Sequence, residues 1–554
     1  MAEEPSHMKI RDEDSLRFVH CLSNRDPGVR NRAFDSILRV FDALVGGYGS
    51  PPDMKGMTTI QGGVDTKGMI DEYLVDILRL SVQCPFEDVL ERCKELLKDM
   101  QERSYKIPRV QKGGISSFVP EREIIPASSK DTETQALFVD AFLQNNRLDH
   151  VVQLMGYHPQ YLECFLRTQQ YLMKGDGALP FHYRHYIAIM AASRHMCTYL
   201  VHLHEQEFIL QGGDPEWLKG TSHVPKKLRD LNELNKLLAH RPWLICKSHI
   251  EKLARSPNSK DNWSISELVQ ALILMAHFHS LCSFVYGCGI KSEIDHNGGY
   301  TYRPQSPVEK NANDVDSSDS SSTNGDINSE PEVGIEVLME RMKKLVEEGE
   351  EETTQEERVK RFEKVESQSV EIAANTVRPS PKAEVLKYVD DAEYCYQDFA
   401  KRSSVEDIPT FRATDYSWED HGFSLSNRLY MDIGNHLEDK FSVATNMTYY
   451  TMGEVRDVDT TAFRRAIWSY IHCLYGIMHD DYNYGQVNQL LERNLKAYIK
   501  TMTCYPERLT RKDYDNVMRE FKHSEKVHVN LMLLEARFQA ELLYALRGVM
   551  QFMT

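Results

Sequence analysis

Apolar residues recur every three or four positions along most of this chain, the spacing of one face of an α-helix. In "DPGVRNRAFDSILRVFDAL" a helix starts at Asp26-Pro27, and Val29, Ala33, Ile37, Val40, Phe41 and Leu44 form one stripe. "DEYLVDILRLSVQC" and "FEDVLERCKELLKDMQ" continue the pattern. Residues 1–112 therefore read as a helical N-terminal extension, either packed on the main body or built as a HEAT-like pair. Residues 113–303 are richly helical, with "RHYIAIMAASRHMCTYLVHLHEQEFI" at their centre and "LRDLNELNKLLAHRPWLI" and "SISELVQALILMAHFHSLCSFVYGCGI" following. The last of these holds the longest apolar run. Its histidines and small polar residues fit a buried core helix, so membrane insertion is not expected.

The pattern then breaks. "EKNANDVDSSDSSSTNGDINSEPE" has almost no apolar residue and cannot offset the entropy of ordering, so a disordered acidic loop is expected at about 309–334. The charged stretch "GIEVLMERMKKLVEEGEEETTQEERVKRFEKVE" follows, with Leu338, Met342, Leu345 and Val346 as a narrow apolar stripe. It reads as a docked linker helix within a connecting section, 304–408. Residues 409–554 return to helical spacing. There "FRRAIWSYIHCLYGI" echoes "YRHYIAIMAASRHMCTYLV", which suggests two similar helical domains. The expected fold class is all-α.

The formal net charge of −17 disfavours nucleic acid or an anionic membrane as the principal partner. "MAEEPSHMKIRDEDS" has no apolar signal region, and the 11 cysteines are scattered without close pairs. A cytoplasmic or nuclear setting with reduced thiols is the expectation. CxxC, HExxH and GxGxxG are all absent, so no cofactor and no metal are expected.

The densest chemistry lies in "SRHMCTYLVHLH", Ser193 to His204. Cys197 and His204 share a helix face, but two turns separate them by about 10 Å of rise. If Cys197 begins a helix, its direction is freed and the N-terminal dipole favours a thiolate. Tyr199 and His204 would then serve as a proton relay. His195, His202 and His204 lack the spacing of a helical zinc pair. A buried, unreactive cysteine is the plain alternative.

A longer series of motifs carries a resemblance. "FVPEREI", "HPQYLECFLRTQQYLM", "GDGALPFHYRHYIAIMAASRHMCTYLVHLH", "GGDPEWL", "LNKLLAHRPWLI", "FVYGCGI", "WEDHGFSLSNRLY", "DVDTTAFRRAIWSYIHCLYGIMHDDYNYGQVNQLL" and "FKHSEKVHVNLMLLEARFQAELLYALRGVMQFMT" resemble the sestrins from about Ser116 to the C-terminus. The resemblance implies two domains similar to alkylhydroperoxidase D proteins, 113–303 and 409–554. It implies a redox relay at Cys197, Tyr199 and His204. Tyr199 or Leu200 stands where the bacterial relatives place a resolving cysteine. Internal disulfide turnover is therefore not expected, and a thiol reductant from outside would be needed for slow turnover of organic hydroperoxides.

The resemblance also implies amino-acid sensing in the C-terminal domain. Glu525 would meet the ammonium of free leucine and Arg464 its carboxylate. Thr448, Tyr449, Thr451 and Thr460 would supply hydrogen bonds and a closing lid, and Phe463, Phe521 and His528 would line the pocket. Met518 stands where leucine-sensing members place a tryptophan floor, and Phe463 replaces an aliphatic residue, so the apolar cup is altered. Asp480, Asp481 and Tyr482 in "HDDYNYG" match the family surface that contacts the GATOR activating subcomplex. The implied function is restraint of TOR complex one. A cysteine-dependent alkyl hydroperoxide reductase is the alternative.

Overall fold

The computed structural model describes residues 19–45, 66–255, 258–296, 298–302, 334–348, 353–372, 383–404 and 408–554. The acidic loop expected at about 309–334 lies outside these residues except for Gly334, and so does "MAEEPSHMKIRDEDS". Among its described residues the N-terminal extension holds three α-helices, α1 (Pro27–Val45), α2 (Thr66–Gln83) and α3 (Glu87–Glu102). They enclose a small core of their own, centred on Phe34, Phe41, Tyr73 and Leu96. The Arg30 guanidinium spans both Asp88 oxygens at 3.0 Å, tying α1 to α3. On α2, Arg79 lies 3.4 Å from Asp295 with both side chains buried, and it donates to the Asn146 carbonyl at 3.0 Å. That buried pair seats the extension on the main body.

After two shorter helices (Thr132–Asn145 and His150–Met155), the main body carries α4 (Pro159–Lys174), α5 (Phe181–Arg194), α6 (Thr198–Leu210) and α7 (Ile265–Gly287). The Ser264 hydroxyl accepts from the Glu267 amide at 3.2 Å, and the Glu267 carboxylate accepts from the Ser264 amide at 2.8 Å. This reciprocal cap fixes where α7 starts. Every residue from Leu268 to Val285 is buried. The long apolar run is thus a core helix, each aliphatic side chain contributing about 1.5–3 kcal/mol by burial. In the linker come α8 (Ile335–Glu348) and α9 (Gln355–Glu371). Met342 is buried, Leu338 and Leu345 are partly buried, but Val346 is 69% exposed. The buried stripe runs Ile335, Leu338, Met342, Leu345, and Val346, expected within it, falls off its edge.

The last section carries α10 (Ile433–Asn446), α11 (Thr461–Leu474) and α12 (His523–Met553). α12 packs along α7, and one continuous apolar core runs through both 113–303 and 409–554. Polar ties cross the same boundary. Glu541 accepts from Arg537 at 2.8 Å and lies 2.9 Å from His279 Nδ1. Arg537 also reaches His195 Nε2 at 2.6 Å. Lys440 and Glu535 pair at 2.9 Å, both fully buried, and Tyr161 donates its hydroxyl to Glu535.

Among the described residues the strands are two residues long and paired two by two. β1 (Arg109–Val110) and β2 (Tyr300–Thr301) are antiparallel, β3 (Phe411–Arg412) runs parallel to β6 (Ile477–Met478), and β4 (Thr451–Met452) forms a hairpin with β5 (Val455–Arg456).

Candidate functional site

The β4–β5 hairpin sits over the start of α12, and one carboxylate holds it there. Glu525, in the first turn of α12, accepts from the Thr451 hydroxyl at 3.1 Å and from the Gly453 amide at 2.8 Å. The same carboxylate accepts from the Lys522 amide at 2.9 Å, closing the helix start. Gly453 turns the hairpin at φ +63, and a Cβ there would meet the Glu520 carbonyl at 2.5 Å and Ile335 at 2.6 Å. Only glycine fits the turn under α8.

Beneath the hairpin is a cavity of about 210 Å³. Glu525 and Arg464 both line it, with Thr448, Tyr449, Thr451, Thr460, Phe463, Phe521 and His528. Arg464 comes from the first turn of α11. Its Nε donates to Thr460 Oγ1 at 3.0 Å and a terminal nitrogen donates to Thr461 Oγ1 at 3.1 Å, while the other binds the Thr445 carbonyl. Burial pulls this guanidinium below its ordinary value. Thr448 Oγ1 accepts from the Tyr450 amide at 3.2 Å, shaping the loop into β4.

Two lining residues come from outside 409–554: Tyr157 and His158, just ahead of α4. His158 Nε2 lies 2.7 Å from the Ser524 carbonyl, which can only accept, so that nitrogen carries the proton. Nδ1 is then free to accept from the Tyr449 hydroxyl, 2.9 Å away. Burial lowers His158 to about 4, against the raising effect of the Ser524 carbonyl, so the ring is neutral. His528, 5.4 Å from it between ring centroids, is lowered to about 3 by burial first and by His158 second. His158 carries no local signal in the sequence, because its partner Tyr449 lies 291 positions away.

Met518 lines a different cavity. This second space, about 40 Å³, lies beyond Phe463 and Phe521 and includes Leu338 of α8. The two rings pack edge-on at 6.1 Å and form the partition. Met518, expected as the cavity floor, does not line the cavity beneath the hairpin, where Phe463 and Phe521 do.

The "HDDYNYG" loop is only partly presented to solvent. Asp480 is clamped: Arg412 and Thr414 Oγ1 (2.9 Å) bind its carboxylate, Gln355 donates to it at 2.8 Å, and Arg358 binds its carbonyl at 2.8 Å. Burial works against the charge, yet the bonds from Arg412 and Thr414 hold the carboxyl below its ordinary value. Asp481 is 77% exposed and pairs with Arg465 at 2.7 Å. Tyr482, expected on the surface, is buried under the Arg465 guanidinium, 5.4 Å above its ring.

At the thiol site, Cys197 is the residue that caps α6, as the helix-start reading requires. The relay does not assemble around it. Tyr199 donates to Glu293 at 2.6 Å, and His204 Nδ1 lies 3.0 Å from His185 Nδ1. Among the described residues neither bonds to Cys197. Burial, and then the Glu293 charge, raises Tyr199 well above the usual phenol value, while burial lowers His204 to about 3. Both line a small cavity of about 70 Å³ that Cys197 does not reach. His195 turns instead to Arg537. No cysteine stands at Tyr199 or Leu200, where the resemblance would put a resolving thiol, but another cysteine lies near on α7. The Cys282 thiol of α7 donates to the Ala192 carbonyl at 4.0 Å, and the Cys197 amide donates to the same oxygen at 3.1 Å. Spacing within α6 could not reveal a partner 85 residues downstream on another helix.

The sequence matches the family model described as PA26 p53-induced protein (sestrin) over residues 114–553. Among curated proteins, it is 48% identical to Sestrin-1 of Xenopus laevis over 481 residues, 84% of this chain and 98% of that protein. It is 48% identical to Sestrin-2 of Homo sapiens over 458 residues, 82% and 93% of the two chains. It is likewise 48% identical to the Sestrin homolog of Drosophila melanogaster over 470 residues, 74% and 93% of the two.

Proposed function

The chain belongs to the sestrin family, and from that premise we propose that it is a stress and nutrient regulator whose C-terminal cavity takes free leucine or a related amino acid. One observation carries the reading: Glu525 and Arg464 line the same cavity, with Phe463, Phe521 and Met532 between them. A zwitterion needs one group of each sign, and an apolar side chain needs the remainder dry. A space of 210 Å³ suits a small amino acid, since about 150 Å³ suffices for benzene. The hairpin over Glu525 and the His158–Tyr449 contact supply a lid that a bound amino acid would hold shut.

The partner is the GATOR activating subcomplex, met through Asp481 and the clamped Asp480. Ligand binding that favours one arrangement of the domain shifts the population away from the partner-binding one. Without amino acid the protein holds the subcomplex and restrains TOR complex one. Calorimetry and thermal shift with leucine, methionine, isoleucine and arginine test the pocket. A response to leucine with none to arginine is expected; no response to any of them sinks the sensing reading and leaves a constitutive inhibitor.

A second reading rests on Cys197 at the start of α6: slow, thiol-dependent reduction of alkyl hydroperoxides. An unchanged rate of hydroperoxide consumption in Cys197→Ser would remove it.

A further inference from the structure

Cys197 and Cys282 converge on one backbone carbonyl. The Cys197 amide donates to Ala192 O at 3.1 Å, and the Cys282 thiol donates to the same oxygen at 4.0 Å. After burial, the neighbouring Cys197 is the next cause that raises the Cys282 thiol. The loop that carries Cys197 is pinned to α7 from the other side. The Tyr286 hydroxyl, one turn beyond Cys282, bonds the carbonyls of His195 at 3.1 Å and Met196 at 2.8 Å. Met196 itself sits at φ +54, a conformation a side-chain-bearing residue holds only when its surroundings enforce it. Both cysteines are buried, at 1% and 0% exposure. The 70 Å³ cavity touches Leu200, nearly one turn after Cys197 on α6, and Leu281, next to Cys282 on α7.

We propose that Cys197 and Cys282 are a redox couple that closes to an intramolecular disulfide when a hydroperoxide oxidises Cys197. In the first step the Cys197 sulfur attacks the O–O bond. The sulfur loses two electrons and becomes a sulfenic acid, the peroxide is reduced to its alcohol, and the thiol proton ends on that alcohol. In the second step the Cys282 sulfur displaces the sulfenic hydroxyl. An S–S bond forms, the S–O bond breaks, and the Cys282 proton leaves with the hydroxyl as water. Burial holds the Cys282 thiol well above its usual range, so it stays protonated until that water forms. An external thiol then reopens the couple by exchange.

This couple rests on the hydroperoxide reading of Cys197, and the two fail differently. The full-length protein is treated with cumene hydroperoxide, blocked with an alkylating agent and mapped by mass spectrometry without reduction. The expected product is a linked Cys197–Cys282 peptide, lighter by two hydrogens and lost on reduction. In Cys282→Ser, with its melting temperature checked, dimedone should label Cys197 several-fold more than in the wild type. Sulfenic or sulfinic acid at Cys197 in the wild type with no linked peptide overturns the couple and leaves the hydroperoxide reading standing. If Cys197 stays unmodified at a dose that oxidises the exposed Cys246, both fall.

Discussion

Arg464 and Arg465 are adjacent on α11 and serve different sides of it: Arg464 lines the cavity beneath the hairpin, while Arg465 pairs with Asp481 at 2.7 Å and covers Tyr482. A shift of this helix turn moves cavity and loop together, which is the physical requirement for coupling two sites. Arg465→Ala should therefore keep leucine affinity but reduce the extent to which leucine weakens partner capture. Couplings of this kind run about 5–150-fold, and the variant should fall toward no coupling. Capture assays across a leucine titration check it; an unchanged leucine dependence rules out this route.

Glu525→Gln retains oxygen to accept from Thr451 and Gly453 but loses the charge. The hairpin should keep its protection in hydrogen exchange. Leucine affinity should fall by about 2 kcal/mol, some thirtyfold, because a charge-assisted bond becomes a neutral one. Calorimetry reads the affinity.

Met518→Trp places an indole in a space of about 40 Å³. Overpacking should cost about 1–3 kcal/mol in urea unfolding. Phe463→Leu in the same chain removes part of the partition and should return some of that stability. Additive effects in the double-mutant cycle would mean that the two cavities do not share their wall.

His158 titrates near 4 in the folded protein and near 6.5 when unfolded. The unfolded chain therefore binds more protons between these values. Stability from this group is complete above pH 6.5 and is lost as pH falls toward 4, at up to about 1.4 kcal/mol per pH unit. His158→Gln should flatten the urea-midpoint profile in that window by one proton. An equally steep acid limb in the variant would show that His158 is not the neutral ring described above.

Lys440→Met leaves Glu535 as a buried, unpaired charge. The expected loss is about 3–5 kcal/mol, and the double variant Lys440→Met/Glu535→Leu should lose much less. Chemical denaturation of both measures the difference.

How much of this was legible in the sequence depends on how far apart the partners stand. Local pattern identified α1, α7 and α12: α1 buries the face that its spacing declares, while the long apolar run of α7 is buried on every side. The Asp26-Pro27 start and the Cys197 helix cap were also local signals. The β4–β5 hairpin was missed, since strands of two residues leave no alternation to read. The depth of Tyr482 and the clamp on Asp480 were hidden because Arg465, Arg412 and Gln355 come from other turns and other helices. His158 and Cys282 fail for the same reason: each acts across more than 80 positions. Met518 sits beside the aromatic wall in space, where a linear correspondence would set it on the cavity floor.

The burial of α7 against α12 makes the two halves of the chain behave like subunits that happen to share a backbone. A protein nicked between 309 and 333 should stay assembled, held by the shared core, whereas either half produced alone would present a bare hydrophobic layer and be cleared or aggregate. Co-expressed as two separate polypeptides, the halves should find each other.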